Sequence, residues 1–318
     1  MNEVVSFPIV LVQLGPIPKY LKSNLQYLDN TFPKIRKILI SDAKKDASLS
    51  GLSFEWVNPK SLISHWPAQF QISDNRRFFR GNFWFTSKAR LLLIPELMKV
   101  EHLERILHLE NDVWMHPQFP FEFFDKLKAP LAFPKVDSER GIASTLFING
   151  QEGMRILQKA CIQWSTSSDM QILGNIFKSN PNVLELPSTY SFDCIVPSNW
   201  LFDGAKLGMF LFGSDPRNTK GIIRRFARSP MGNLDKNQKL YFDGKNVVLR
   251  TEEKDFFVAT LHLHSKYINM FNENWNLRLR RQLRREQWGL NYSFSWTAFW
   301  KSLMEIKERL FRKLKTFM

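Results

Sequence analysis

Pro8-Ile9-Val10-Leu11-Val12-Gln13-Leu14 is apolar almost without interruption and is closed by Gly15-Pro16. A strand with one wet face alternates apolar and polar residues. A run like this one belongs to a strand covered on both sides, as in a parallel sheet with helices on its faces. Pro18 then opens a helix pattern, with Tyr20, Leu21, Leu25 and Leu28 at helical spacing and an end near Asn30. Ile35 to Ile40 forms a second strand that ends in Ser41-Asp42. Strand, helix, strand is one parallel crossover unit, so the chain starts as an α/β fold.

The remainder extends that pattern. Phe54 to Val57 predicts a short strand, and Phe83 to Lys99 a helix kinked or ended near Pro95. Glu104 to Leu109 is the next strand, followed by strands at Pro130 to Phe133 and Ala143 to Ile148. Helices are expected over Met154 to Trp164 and Asp169 to Phe177, then a loop-rich stretch after Pro187 and a late strand from Phe256 to His264. A chain of 318 residues, 44% hydrophobic and 24% charged, has material for one large domain with an appendage and is not a disordered composition. Cys161 and Cys194 are the two cysteines, too few for a disulfide scaffold, and both read as inert. No apolar run reaches the roughly 20 residues that span a bilayer. Glu3 and Pro8 spoil the N-terminus as a signal peptide, so a cytoplasmic protein is expected.

Positive charge is concentrated at one end. From Arg278 to Met318 the sequence holds Arg278, Arg280, Arg281, Arg284, Arg285, Lys301, Lys307, Arg309, Arg312, Lys313 and Lys315 against Glu286, Glu305 and Glu308. This surplus of eight is more than half of the formal +15. Trp288, Tyr292, Trp296 and Trp300 lie among these bases. Bases mixed with interfacial aromatics suit a helix lying on an anionic membrane, here the inner face of the cell membrane. Plain packing with a solvated basic face is the second reading, and a phosphodiester backbone is a third and less favoured partner. The organisation expected is therefore a domain over residues 1–275 and a basic helical tail over 276–318.

In open α/β sheets, ligands collect beyond the carboxyl ends of the strands. Four polar clusters fall at such ends: Gln13-Leu14-Gly15, Ser41-Asp42, Glu110-Asn111-Asp112 and His264-Ser265-Lys266. Glu110 and Asp112 offer carboxylates to one hard divalent cation, Mn²⁺ or Mg²⁺, although an acidic turn has the same composition.

Leu107-His108-Leu109-Glu110-Asn111-Asp112-Val113 resembles the strand and Asp-x-Asp motif of GT-A-type nucleotide-sugar glycosyltransferases. Trp84 to Leu91 is similar to the helix before that motif, and Leu261 to Lys266 to the late His and Lys of metal-dependent members. The resemblance covers roughly residues 8 to 270. It implies a GT-A-like, Rossmann-like, mainly parallel sheet flanked by helices. It also implies a metal-dependent transfer of a sugar from a nucleotide-diphosphate donor to an acceptor hydroxyl on a glycan or lipid-linked glycan. Under it, Asp112 and Glu110 hold the metal, with His264 as third ligand and His262 as its competitor. Lys266 contacts the diphosphate, Lys88 and Arg90 the nucleotide or phosphates, and Gln13 and Gly15, with Asn111, border the donor. Glu110 stands where the family usually has Asp.

Three further segments stay open between structure and chemistry. Asp169 reads as a helix cap or as the carboxylate base that an inverting enzyme needs, with Asp203 next in line for the base. Asp215 and Arg217 lie in turn-like sequence or in an acceptor loop. Lys88 and Arg90 fit an ordinary basic helix face equally well. A non-catalytic nucleic-acid or anionic-surface binder, or a degenerate sugar-binding GT-A fold, is the alternative to an enzyme.

Overall fold

A computed structural model describes residues 5–45, 47–65, 83–191, 199–212, 234, 237–243 and 246–263. Calls on His264, Lys266, Asp215, Arg217, Cys194 and the tail over 276–318 lie outside these residues. The described elements, in chain order, begin with β1 (Ile9–Gln13), α1 (Lys19–Thr31), β2 (Lys37–Ser41), β3 (Phe54–Val57) and α2 (Pro59–Leu62). They continue with α3 (Phe83–Val100), β4 (Arg105–Leu109), β5 (Val113–Met115), α4 (Phe121–Asp125), β6 (Leu131–Pro134) and β7 (Thr145–Asn149). Next come α5 (Gly150–Gln163), α6 (Asp169–Ser179), β8 (Leu184–Leu186), β9 (Trp200–Phe202) and α7 (Lys206–Phe212). A last group of strands is β10 (Lys239–Phe242), β11 (Val247–Arg250) and β12 (Asp255–His262).

Seven strands form the main sheet in the order β3-β2-β1-β4-β7-β6-β8. β1 pairs in parallel with β2 and β4, and β2 with β3, while β7 runs against both β4 and β6. The sheet is therefore parallel except for β7, and its helices lie on its faces: the α/β class expected from the sequence. Burial explains the apolar run at the start. Ile9 and Leu11 point into one core cluster and Val10 and Val12 into another, so β1 is covered on both faces. Helices α3, α5 and α6 supply one cover; on the other lie α1 and a second sheet.

That second sheet, β10-β11-β12-β5 with β9 paired to β12, is where the sequence reading falls short. The stretch after Pro187 was expected to be loop, but β9, α7, β10 and β11 lie within it. These pieces are three to seven residues long, too short to show a period of their own. β5 was missed for the same reason. α3 also runs through Pro95 to Val100. The lost backbone bond costs about 3 kcal/mol. Burial of Leu91, Leu92, Leu93, Ile94, Leu97 and Met98 outweighs it, at about 1.5–3 kcal/mol per side chain. No helix among the described residues is long and apolar enough to cross a membrane.

Candidate active site

Glu110-Asn111-Asp112 is the joint between the two sheets. β4 ends at Leu109 in the first, and β5 begins at Val113 in the second. β12 runs antiparallel to β5 with His262 opposite Val113, and Leu263 N–H donates to the Asp112 carbonyl at 2.8 Å. Strand register thus delivers a histidine to the acidic turn from 150 residues further along the chain. Nε2 of His262 lies 3.2 Å from Oε2 of Glu110 and 3.3 Å from Oδ1 of Asp112. One donor atom from each of the three residues lies within 4.8 Å of the others. Of the two histidines in competition, His262 is the one the described structure brings to the acids.

The donor set fits a divalent cation. Two carboxylates and one imidazole suit Mn²⁺, and two carboxylates with open positions suit Mg²⁺. The ring is also oriented for ligation. Nδ1 of His262 lies 3.0 Å from the Gly204 carbonyl, which can only accept, so Nδ1 carries a proton and Nε2 faces the acids. Burial opposes a charged imidazole here, but Asp112 and Glu110 outweigh it and hold the His262 pKa up at about 10. Without metal the ring is an imidazolium clasped between two carboxylates, a positive charge where a cation would sit.

Arg90 backs the site. Its Nη2 contacts Oε1 of Glu110 at 2.5 Å and Oδ2 of Asp169 at 2.6 Å, leaving the other Glu110 oxygen toward His262. Burial disfavours the guanidinium charge, and the charges of Glu110 and Asp169 more than offset this, so its pKa rises. Asp169 is at the first position of α6, which a reciprocal Ser168–Gln171 capping box starts. The cap reading therefore belongs to Ser168, and the Asp169 carboxylate holds Arg90. Lys88, two positions before Arg90, points elsewhere on the helix. Its buried Nζ donates to the Ser165 carbonyl at 2.5 Å.

A second cluster caps β1 and β2. Asn111 Nδ2 donates to the Val12 carbonyl and to Oε1 of Gln13, each at 2.8 Å. Gly15, at φ +80°, donates its N–H to Oδ1 of Asp42 at 2.7 Å. Gln13, Gly15 and Asn111 are thus one polar group beside the acidic turn. Asp42 belongs with them, and its place after β2 was the signal for it.

Asp203, the second candidate for the base, lies inside the fold. Its carboxylate is fully buried and accepts backbone N–H groups of Leu207, Gly208 and His262. In the described structure these bonds tie it to α7 and β12.

No known family's sequence profile matches the chain, and no curated protein matches it. Solved structures with a similar chain path include the galactosyltransferase LgtC in complex with donor and acceptor sugar analogs. That likeness is 15% identical over 87% of this chain and 95% of LgtC, with a TM-score of 0.44. The bifunctional glycosyltransferase WbbM is 12% identical over 61% of this chain and 42% of its own, with a TM-score of 0.38. The glycosyltransferase GlyE of Streptococcus pneumoniae TIGR4 is 11% identical over 57% and 45%, also with a TM-score of 0.38. These three solved structures are glycosyltransferases.

Proposed function

We propose that this protein is a metal-dependent glycosyltransferase. It would move a sugar from a nucleotide-diphosphate donor to an acceptor hydroxyl on a glycan or lipid-linked glycan. The observation that carries this reading is the convergence of Glu110, Asp112 and His262, from the ends of β4 and β12, within 4.8 Å of one another. A bound Mn²⁺ or Mg²⁺ supplies positive charge where the departing diphosphate gathers negative charge.

The chain's own residues prepare that point. Arg90 fixes one oxygen of Glu110 and turns the other toward the cation position. The Gly204 carbonyl keeps the proton of His262 on Nδ1. Asn111 ties the acidic turn to Val12 and Gln13, so the turn and the end of β1 move as one. Gly15 and Asp42 extend this floor to β2, where the nucleoside half of a donor would lie. Holding donor and cation in one rigid geometry is itself a large part of catalysis.

The basic, aromatic composition of residues 278–318 supports work at an anionic membrane surface, where lipid-linked acceptors reside. The test is incubation with a panel of nucleotide sugars and Mn²⁺, reading nucleoside diphosphate release. Release should appear with one donor, stop on chelation and vanish in Asp112→Ala. Turnover that survives both treatments would remove the metal from the mechanism.

A further inference from the structure

The Asp203 carboxylate has no exposure, yet it accepts N–H bonds from Leu207 at 3.0 Å, Gly208 at 2.8 Å and His262 at 3.1 Å. The first two satisfy the start of α7, a task that serine or asparagine performs without burying a charge. The third differs in kind. It comes from 59 residues away, from the residue whose ring faces Glu110 and Asp112. Its neighbour Gly204 holds that same ring through Nδ1. A buried carboxylate is costly, and capping a seven-residue helix does not account for it.

The surroundings are built for this contact. The β9–β12 ladder ends at Phe202 opposite Thr260, and Asp203 N–H closes it on the Thr260 carbonyl at 3.1 Å. Beyond that point the Asp203 side chain takes the His262 N–H that a further strand residue would have taken. Ser144 Oγ donates to the Asp203 carbonyl at 3.0 Å and fixes its backbone to the main sheet. Gly208 permits the approach of α7, because a Cβ there would lie 1.7 Å from the His262 carbonyl oxygen and 3.3 Å from Oδ2 of Asp203.

We propose that Asp203 is a positioning residue of the metal centre: with the Gly204 carbonyl it clamps His262 at backbone and ring, presenting Nε2 to the cation. This rests on the reading of Glu110, Asp112 and His262 as cation ligands. Such outlying partners of a metal-binding histidine are commonly worth 10–100-fold in metal affinity.

The test uses the full chain and Mn²⁺ as probe, with dissociation constants from electron paramagnetic resonance of free Mn²⁺. Wild type is compared with Asp203→Asn, with Asp203→Ser and with Leu207→Ala. The serine variant keeps one cap acceptor for α7. Leu207→Ala unloads the same helix without touching the carboxylate. Proton NMR on the metal-free proteins follows the His262 Nδ1 proton, which is shielded from exchange by Gly204. Both Asp203 variants should bind Mn²⁺ about 10–100-fold more weakly and lose that slowly exchanging proton, while Leu207→Ala keeps both properties. Unchanged Mn²⁺ affinity in the Asp203 variants, or an equal loss in Leu207→Ala, overturns the proposal. If wild type itself binds no Mn²⁺, the metal reading fails separately. The Nδ1 proton then decides the clamp, and its persistence in both Asp203 variants refutes it.

Discussion

Nη2 of Arg90 lies 2.5 Å from Oε1 of Glu110, and the same nitrogen serves Asp169. One buried cation therefore answers for two buried carboxylates. Replacing Arg90 by Met removes that shared partner from both, leaving Glu110 to His262 alone, and urea unfolding should show a loss of about 3–5 kcal/mol. Arg90→Lys keeps the charge, but as a compact, strongly hydrated ammonium on a different stem, and should recover only part of that loss. Full stability in Arg90→Met would show that the pair of contacts contributes nothing.

Asn24 is the support beneath the acidic turn. Fully buried on α1, its Nδ2 donates to the Asn111 carbonyl at 3.0 Å and the Val113 carbonyl at 3.2 Å, on either side of Asp112. Asn24→Leu should cost about 2–6 kcal/mol, since it strands two acceptors at about 1–3 kcal/mol each. Mn²⁺ affinity should fall with it, read by the same titration. Asn24→Asp should be worse than Leu, because it points acceptors at acceptors. Equal metal affinity in all three proteins would separate α1 from the turn.

His108 makes stability sensitive to acid. Burial and the nearby charge of Arg90 hold its pKa down at about 3, and its Nδ1 bonds the Val10 carbonyl at 2.9 Å. The unfolded chain takes up this proton near pH 6.5 and the native protein only near pH 3. The stabilisation is therefore present above pH 6.5 and drains away as pH falls toward 3. It is on the order of 5 kcal/mol over that window, at about 1.4 kcal/mol per pH unit. His108→Gln keeps a donor for Val10 without titrating. Unfolding free energies at stepped pH should therefore fall less steeply in the variant, and parallel slopes would rule this residue out.

Replacing Arg278, Arg280, Arg281, Arg284 and Arg285 together by Gln, in the full chain, tests the membrane reading. Each base near an anionic surface is worth about 1 kcal/mol, so binding to phosphatidylserine-containing vesicles at low salt should fall by several orders of magnitude. Co-sedimentation measures it. Zwitterionic vesicles should bind neither protein, and equal sedimentation of both with anionic vesicles would refute the role of this segment.

The first half of the fold was legible because its signals are local and long. β1 and β2 announce two-sided burial in consecutive apolar residues, and Ser168-Asp169-Met170-Gln171 carries its own helix start. Glu110 and Asp112 were legible too, since a strand end places them without reference to anything distant. His262 was named only beside His264, because register between β12 and β5 is a long-range property that adjacent residues do not encode. The contacts of Asp203 were not legible for a related reason. Its turn-like neighbours describe the start of α7 but say nothing of the strand that takes its second oxygen.

Glu110 closes a strand of one sheet while His262 belongs to the other. Under the proposed function, a cation gripped by both would act as a rivet between two layers that the acidic turn and the hydrogen bonds of Ser144 and Thr145 already join. Loading the protein with Mn²⁺ would therefore do more than fill a pocket: opening of β12 would require opening at the end of β4 as well. Amide hydrogen exchange in these two strands should slow together on loading and become a single event.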